Sequence, residues 1–202
     1  MRQLLAHETT SAFRIVKTCF RENASFQFIF GKQLAGWRFN LFTRQCIRFA
    51  QKKNGAFIAD NKQAVALVVP VTSGNEQVQP ISRWQSLFII PLKRLIPVSR
   101  FQRKVLRFLP REPHLHLLLM AVNAKQNGIS TIISMRDDLF ALSAVMQLPI
   151  YAQTSSRRVR NFYETFGFTV YAEVPIPGSE DYFYFVKRIP GAKPVLPAQI
   201  SS

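Results

Sequence analysis

The chain has few cysteines, few acidic residues and no long apolar run, and each shortage argues against a class of protein. Its two cysteines, Cys19 and Cys46, show no metal-ligand spacing among 202 residues, so a disulfide framework is not expected and a reducing compartment is. No apolar run approaches the roughly 18 residues that cross a bilayer. The opening segment, MRQLLAHETT, also lacks the apolar core and cleavage site of a secretory signal. We therefore expect a cytoplasmic protein that makes no membrane contact.

Several enzyme signatures are also missing from the sequence. It contains no nucleophile elbow, no Walker phosphate loop and no paired-carboxylate arrangement. His114 and His116 alternate onto one face of an apolar segment, but no cysteine, aspartate or third histidine stands at ligand spacing from them. We therefore expect no metal site.

The charge balance is strongly basic, with 27 Lys and Arg residues against 11 acidic ones and a formal net charge of +16. Residues 81–111 carry eight basic side chains and no acid, and Arg157, Arg158 and Arg160 form a second cluster. Such a field attracts nucleic acid, acidic membranes and phosphorylated ligands, although a solvated surface that aids solubility accounts for it equally well. No nucleic-acid recognition motif accompanies the charge, so nucleic-acid binding is permitted but not favoured.

Apolar spacing predicts the order of the elements. Steps of three and four residues, end signals such as Asn54-Gly55, and short apolar runs distinguish helices from strands. The expected helices are 11–20, about 32–53, pieces of 82–109 broken at Pro91 and Pro97, 129–146, and one that Ser155 or Ser156 caps and Gly167 ends. The expected strands are 56–59, 64–69, 115–122, 148–154, 169–174 and 182–188, the first two forming a hairpin. This alternation predicts a mixed α/β sheet with helices on both faces.

The most specific pattern is SSRRVRNFYETFGF, from Ser155 to Phe168. Its Phe-Tyr-x-x-x-Gly-Phe core resembles the late helix of the GNAT superfamily of acyl-CoA-dependent N-acyltransferases. Upstream, PREPH followed by LHLLLMAVN is similar to the entry into that fold's fourth strand, closest to the branch that includes puromycin N-acetyltransferases. The resemblance spans roughly residues 10–188. It implies a single GNAT-like domain over 1–189, with a mostly antiparallel central sheet and a flexible tail at 190–202.

The resemblance also implies a reaction, in which a primary amine attacks the thioester of acetyl-CoA directly. Tyr163 matches the family's general acid, which protonates the departing thiolate, and a phenol stays protonated at neutral pH. A core tyrosine on an apolar helix stripe is the simpler interpretation. His116 and Glu112 are candidate general bases, with His114 beside them, although a histidine on an apolar strand is more often structural. The segment Met120, Ala121 and Val122 would polarise the thioester carbonyl through backbone N–H groups.

In the family, a Gln/Arg-x-x-Gly-x-Gly/Ala loop at a helix start holds the CoA pyrophosphate. The corresponding residues here are Asn127, Gly128, Ile129, Ser130, Thr131 and Ile132, joined by Ser156 and Arg158 from the later helix start. A register shifted by two residues would use Lys125, Gly128 and Ser130 instead. In the unshifted register a branched Ile132 occupies the smallest position, which predicts weakened, salt-dependent acetyl-CoA binding.

Three functions therefore remain open. The first is an N-acetyltransferase that uses acetyl-CoA and an amine acceptor whose identity the sequence does not reveal. The second is a catalytically weakened or inactive GNAT-fold binding protein. The third, a nucleic-acid-binding protein, depends on charge alone.

Overall fold

The computed structural model describes residues 1–20, 23–31, 36–72, 89–123 and 128–192. The strands are β1 (Arg2–Gln3), β2 (Ala56–Ile58), β3 (Ala64–Val71), β4 (His114–Val122), β5 (Ile150–Thr154), β6 (Thr169–Pro175) and β7 (Tyr182–Arg188). The helices are α1 (Thr9–Cys19), α2 (Ala24–Phe30), α3 (Trp37–Lys52), α4 (Leu92–Leu106), α5 (Gly128–Met146) and α6 (Arg157–Thr165). Asn127 and most of the expected tail lie outside the described residues.

The strands form one seven-stranded sheet in the order β1-β2-β3-β4-β5-β7-β6. Every neighbouring pair is antiparallel except β4 and β5, which are parallel. The predicted hairpin is confirmed as β2 and β3, and β4 lies centrally beside β5. The mixed, mostly antiparallel sheet expected from the sequence is therefore the observed one.

Helices cover both faces of the sheet, as predicted. On one face α1 and α3 pack on the sheet through buried residues such as Val16, Ile47 and Leu67. On the other face α5 packs on it through Met135 and Leu139, with α6 beside it. The sheet is thus buried on both sides in its centre, which explains why β3 and β4 are apolar at almost every position.

Two helix predictions need correction. Pro97 was expected to break a helix, but α4 runs through it because Val98 and Phe101 bury an apolar face on the far side of the proline. Pro91 does mark the boundary, as the residue before the first turn. The expected helix at 32–53 is shorter at its start, since α3 begins at Trp37, and a separate α2 precedes it.

The basic stretch at 81–111 is only partly a solvated surface in its described portion. Arg94 is half-buried, and its Nη1 donates to the carbonyls of Gln27 (3.1 Å) and Phe28 (2.6 Å) at the end of α2. The Gln27 carbonyl also accepts from the Gly31 N–H, so Arg94 adds a second bond there and pairs the Phe28 carbonyl in the last turn of α2. The exposed basic side chains of α4 and the turn after it are Lys93, Arg100, Arg103, Lys104 and Arg107. No helix within the described ranges is long and apolar enough to cross a membrane.

Candidate active site

β4 and β5 run together for only a short distance. Their pairing is confined to Leu115–Ile150, His116–Tyr151 and Leu117–Ala152, although β4 continues to Val122. Where they separate, β4 has an irregularity opposite β3: Leu117 pairs with Val68 and Leu119 with Leu67, so Leu118 is an extra residue. Such a bulge bends its strand and shifts the side-chain alternation. A wedge-shaped gap therefore opens between the carboxyl ends of the two strands.

Both strands lead into a helix beside this gap. Helix α5 begins at Gly128 and α6 at Arg157, so two helix N-termini lie at the same edge of the sheet. Ser156 caps α6, as predicted, with its Oγ accepting from the Val159 N–H at 3.3 Å. The first N–H groups of a helix have no partner inside the helix, and the helix dipole makes their surroundings positive. With Arg157 and Arg158 exposed at the start of α6, this edge suits an anionic ligand.

A groove of about 200 Å³ lies on the face of the sheet that α5 and α6 cover. Met120 and Val122 of β4 line it, together with Ile132 and Arg136 of α5. Phe162, Phe166 and Tyr163 of α6 complete the wall. Apart from the arginine and the tyrosine hydroxyl, these side chains are apolar. The groove can therefore hold an uncharged, flexible chain that ends at the gap.

Tyr163 places its ring against Phe168, with 4.8 Å between the ring centroids. Burial raises the pKa of its phenol above the ordinary value of 10, so the hydroxyl is protonated at neutral pH. No residue in the described part of the chain hydrogen-bonds to that hydroxyl. A tyrosine buried only for packing usually finds a local partner for its oxygen. The geometry thus leaves one proton donor available to a molecule in the groove.

A second cavity, of about 260 Å³, lies on the opposite face of the sheet, under α2 and α4. Its lining includes Phe26, Phe42, Phe101 and Phe183. His116 and Leu118 of β4 and Gln153 of β5 form its floor. Because Leu117 lines the groove while its two neighbours line the cavity, the two spaces border the gap from opposite sides.

His116 is almost fully buried, at 3% exposure. Burial, and to a smaller extent the nearby His114, lowers the pKa of its imidazole from 6.5 to about 3, while the adjacent Gln153 side chain acts in the opposite direction. The imidazole is therefore neutral at physiological pH. Nδ1 of His116 and Nε2 of Gln153 are both buried without a hydrogen-bond partner among the described residues. Two side chains of the cavity floor thus each carry a buried nitrogen that no described residue satisfies.

His114 shares the face of His116, as the period of two predicts, with 5.6 Å between the ring centroids. Its Nδ1 lies 2.7 Å from the Glu112 carbonyl oxygen. The Glu112 carboxylate itself is exposed, where Lys187 donates to it at 2.8 Å and the Tyr151 hydroxyl also donates. These two donors lower the pKa of the carboxyl group. Glu112 lines neither the groove nor the cavity, so the geometry offers no support for it as a base.

The two buried histidines predict a pH dependence of stability. Folding lowers the pKa of His116 and of His114, so the unfolded chain binds protons first as the pH falls. Their contribution is complete above about pH 6.5 and is lost below it, by up to about 1.4 kcal/mol per pH unit for each group. We expect His116→Gln to flatten the slope of unfolding free energy between about pH 6.5 and 5, where carboxylates contribute little.

Urea unfolding at several pH values measures this slope. His7 is exposed, so His7→Gln is the control and should leave the slope unchanged. An unaltered slope in His116→Gln would show that the imidazole gains its proton as readily in the folded protein as in the unfolded chain.

Only some of the residues predicted to bind acetyl-CoA have side chains that line the groove. The side chains of Met120 and Val122 line the groove, whereas that of Ala121 is buried on the opposite face of the sheet. Ser130 lies in the first turn of α5, which begins at Gly128, and Ile132 follows that turn; their part in phosphate binding stays a prediction. Ile129 and Ser130 are exposed, and Thr131 is buried, with its hydroxyl accepting from the Asn61 amide at 2.8 Å.

Sequence reasoning missed Gln153 and the phenylalanine-rich cavity. Gln153 interrupts the apolar strand segment IYAQT at an inward position of its period of two. That signal could have been noticed, because a polar residue there has to find a partner. The cavity itself depends on α2 and α4 crossing the same end of the sheet, which no local pattern reveals. No group of three or more potential metal ligands occurs in the described portion of the chain.

Known proteins match this chain in fold rather than in sequence. No family model and no curated protein matches it. A structure described as histone acetyltransferase HPA2 and related acetyltransferase, from Corynebacterium glutamicum, is 16% identical with a TM-score of 0.61, over 97% of this chain and 96% of the other. Arylalkylamine N-acetyltransferase 2 from Aedes aegypti is 9% identical with a TM-score of 0.58, over 93% and 97%.

A third structure is an acetyltransferase assigned to the GNAT family from Desulfovibrio desulfuricans, 13% identical with a TM-score of 0.54, over 94% of this chain and 96% of the other. Identities this low show a common fold and do not transfer an activity. The chain therefore has the GNAT-like fold that the sequence predicted, while its resemblance to the puromycin branch stays a prediction.

Proposed function

We propose that this protein is an N-acyltransferase that moves an acetyl group from acetyl-CoA to an amine. One observation supports it most: a single gap between β4 and β5 has a free phenol on one side, from Tyr163, and a buried neutral imidazole on the other, from His116. Transfer of an acyl group from sulfur to nitrogen needs a proton donor for the sulfur and a proton acceptor for the nitrogen. The two groups lie in the separate spaces that the two substrates would occupy.

The residues present suit acetyl-CoA as the donor. The apolar groove fits the uncharged pantetheine arm. Gly128 and Ile129 begin α5 and the exposed Arg158 lies in the first turn of α6, so their N–H groups and guanidinium would bind the phosphates. The donor supplies the activated thioester. The chain supplies orientation, because a substrate held in the groove would present its carbonyl at the gap.

In the proposed reaction, the amine enters from the cavity that His116 and Gln153 floor. Backbone N–H groups of β4 beyond Leu117, which β5 does not pair, would stabilise the negative charge on the carbonyl oxygen. The Tyr163 hydroxyl would donate its proton to the departing sulfur. His116 would accept the proton that the attacking nitrogen loses. Glu112 has no part in this scheme.

One observation favours a second candidate, a binding protein of the same fold with weak or no catalysis. The branched side chain of Ile132 projects into the groove wall next to Val122 and Tyr163, where it narrows the space for a pantetheine arm. A protein that has lost donor binding would keep the fold and the cavity. Donor binding therefore separates the two candidates.

We expect saturating acetyl-CoA to raise the melting temperature by about 5–10 °C, the shift that about 2.7 kcal/mol of binding linkage gives a chain of this size. Raising the ionic strength from about 0.01 to about 0.3 M should weaken binding strongly, since exposed arginines contact the phosphates. Arg158→Gln should weaken it about threefold to tenfold. Arg111 precedes β4, at the opposite end of that strand from the gap, so Arg111→Gln is the matched control.

Calorimetric titration of both variants measures these changes. Equal affinities in Arg158→Gln and Arg111→Gln would remove the start of α6 from the donor site. No shift with acetyl-CoA at any ionic strength would leave the binding protein as the surviving candidate.

A further inference from the structure

The cavity under α2 and α4 has a lining that selects among amines. Every side chain that the described residues contribute to it is uncharged. Phenylalanine rings dominate, and several already pack edge-on against each other, as Phe26 does with Phe42 (5.4 Å) and Phe101 with Phe183 (5.8 Å). Aromatic rings favour such edge-to-face contacts with a further ring. A volume of about 260 Å³ is enough for one small aromatic molecule.

The described lining of the cavity has four polar side chains: Ser25 of α2, Gln102 of α4, and His116 and Gln153, which lie together on the floor. Nδ1 of His116 and Nε2 of Gln153 have no hydrogen-bond partner in the described structure, although leaving buried polar atoms unpaired is costly. A neutral amino group can pair with both atoms, because its N–H can donate to the imidazole nitrogen and its lone pair can accept from the amide. An ammonium group has no lone pair, so it would leave the Gln153 donor unsatisfied.

We infer that the acceptor is an uncharged arylamine, bound with its ring among the phenylalanines and its amino group between His116 and Gln153. The inference rests on the proposed function for the reaction, but not for the binding. An alkylammonium would lose its water in this cavity without gaining a carboxylate from the described lining. Aromatic faces can attract a cation, so the comparison of a neutral amine with a charged one decides the matter.

The reaction with an arylamine also balances without a strong base. The nitrogen lone pair carries no proton at neutral pH, so it leaves its hydrogen bond with Gln153 and forms the C–N bond as the C–S bond breaks. The sulfur takes the Tyr163 proton, and one N–H proton passes to His116, which leaves an anilide and the free thiol of CoA. Solvent then returns one proton to the tyrosine and removes one from the histidine. Among the described residues, the His114 ring packs against both His116 and Tyr151, and Tyr151 pairs with His116 across β4 and β5. None of the three has to be charged at the start.

The experiment compares isomers of the same atomic composition, 4-methylaniline and benzylamine, with the full-length protein. In the absence of acetyl-CoA, we expect 4-methylaniline to raise the melting temperature at pH 7 more than either benzylamine or toluene does. With acetyl-CoA, release of CoA thiol should give a kcat/KM at least about tenfold higher for 4-methylaniline than for benzylamine. The rate with 4-methylaniline should be independent of pH between about 6 and 9, because no group it uses titrates there.

Two variants, with a third as their control, locate the site. Val105→Phe adds a ring inside the cavity and should abolish the 4-methylaniline shift, whereas Ser99→Phe adds the same ring on the exposed side of α4 and should not. Gln153→Leu should reduce the 4-methylaniline shift to that of toluene. The melting-temperature shifts that 4-methylaniline, benzylamine and toluene cause are measured on the unaltered protein. They therefore test the inference even if a variant fails to fold.

The outcomes separate the two proposals. Benzylamine that binds or reacts as well as 4-methylaniline at pH 7 would overturn the arylamine inference while leaving N-acetyl transfer intact. Selective binding of 4-methylaniline without thiol release would support the cavity assignment and count against the proposed enzyme.

Discussion

Tyr163→Phe should lower kcat by about 100-fold or more while leaving the affinity for acetyl-CoA nearly unchanged. The substitution removes one oxygen atom from a side chain that is otherwise held by its ring, which packs on Phe168. Burial keeps the phenol protonated, so in the proposed reaction the unaltered protein would always have the proton that the departing sulfur needs. The apolar wall of the groove is the same in the variant. The substitution should therefore lower kcat without changing the affinity for acetyl-CoA.

Tyr171→Phe is the matched control for this experiment. Its hydroxyl donates to the Phe108 carbonyl oxygen at 3.0 Å and lines neither the groove nor the cavity. Losing that bond should cost about 1 kcal/mol of stability without changing kcat. Steady-state release of CoA thiol, together with titration of acetyl-CoA, measures both variants. An unchanged kcat in a fully folded Tyr163→Phe protein would make the tyrosine a packing residue only.

Local patterns were sufficient for most of the fold. The hairpin of β2 and β3, the doubly buried β4 and the cap at Ser156 all follow from apolar runs and end signals that act within a few residues. Gly167 ends the last helix with a φ of 81°, the left-handed conformation that glycine adopts without strain. The Phe-Tyr-x-x-x-Gly-Phe spacing was also sufficient to place Tyr163 on this helix, while its role in catalysis stays a proposal.

Features that depend on distant contacts were not predictable. The bulge at Leu118 lies in LHLLLMAV, which is apolar on both faces, so a shift of one residue changes nothing in the pattern. The strand at Arg2–Gln3 is too short to show a period, and Arg2 is fixed by donating to the buried Glu8 carboxylate at 2.6 Å and 2.7 Å. The role of Pro97 depended on burial of the residues after it.

The site was predictable in its chemistry but not in its shape. The sequence contains the phenol and the imidazole, yet only the gap between β4 and β5 brings them to opposite sides of one opening. Glu112 was an equally good base by sequence. Its exposure and its bond with Lys187 became visible only through the pairing of β5 with β7, which carries the lysine to that end of the sheet.

Asn54-Gly55 shows a correct boundary with a different physical cause. Asn54-Gly55 was predicted to end the helix now seen as α3, and in such end signals the glycine usually takes the left-handed conformation. Here Asn54 takes it, with a φ of 53°, and Gly55 does not. Glycine is required for another reason. A Cβ atom on Gly55 would lie 1.7 Å from the Val68 carbonyl oxygen, and the two backbones are also joined by the Val68 N–H bond to the Gly55 carbonyl at 2.7 Å.

Gly55→Ala should therefore destabilise the fold by at least about 3 kcal/mol, since a backbone atom of a central strand has to move. Gly178 is the opposite case, because its φ is 74° but nothing lies within 4 Å of an added Cβ. Gly178→Ala should cost only the conformational strain, about 1 kcal/mol. Urea unfolding of the two alanine variants measures how much free energy of unfolding each one loses. It thus compares the cost of a Cβ atom that clashes with a neighbouring strand with the cost of a positive φ. If Gly55→Ala lowered the free energy of unfolding less than Gly178→Ala does, the backbone of β3 would move easily at Val68. The central sheet would then not be rigid enough to fix the gap between β4 and β5.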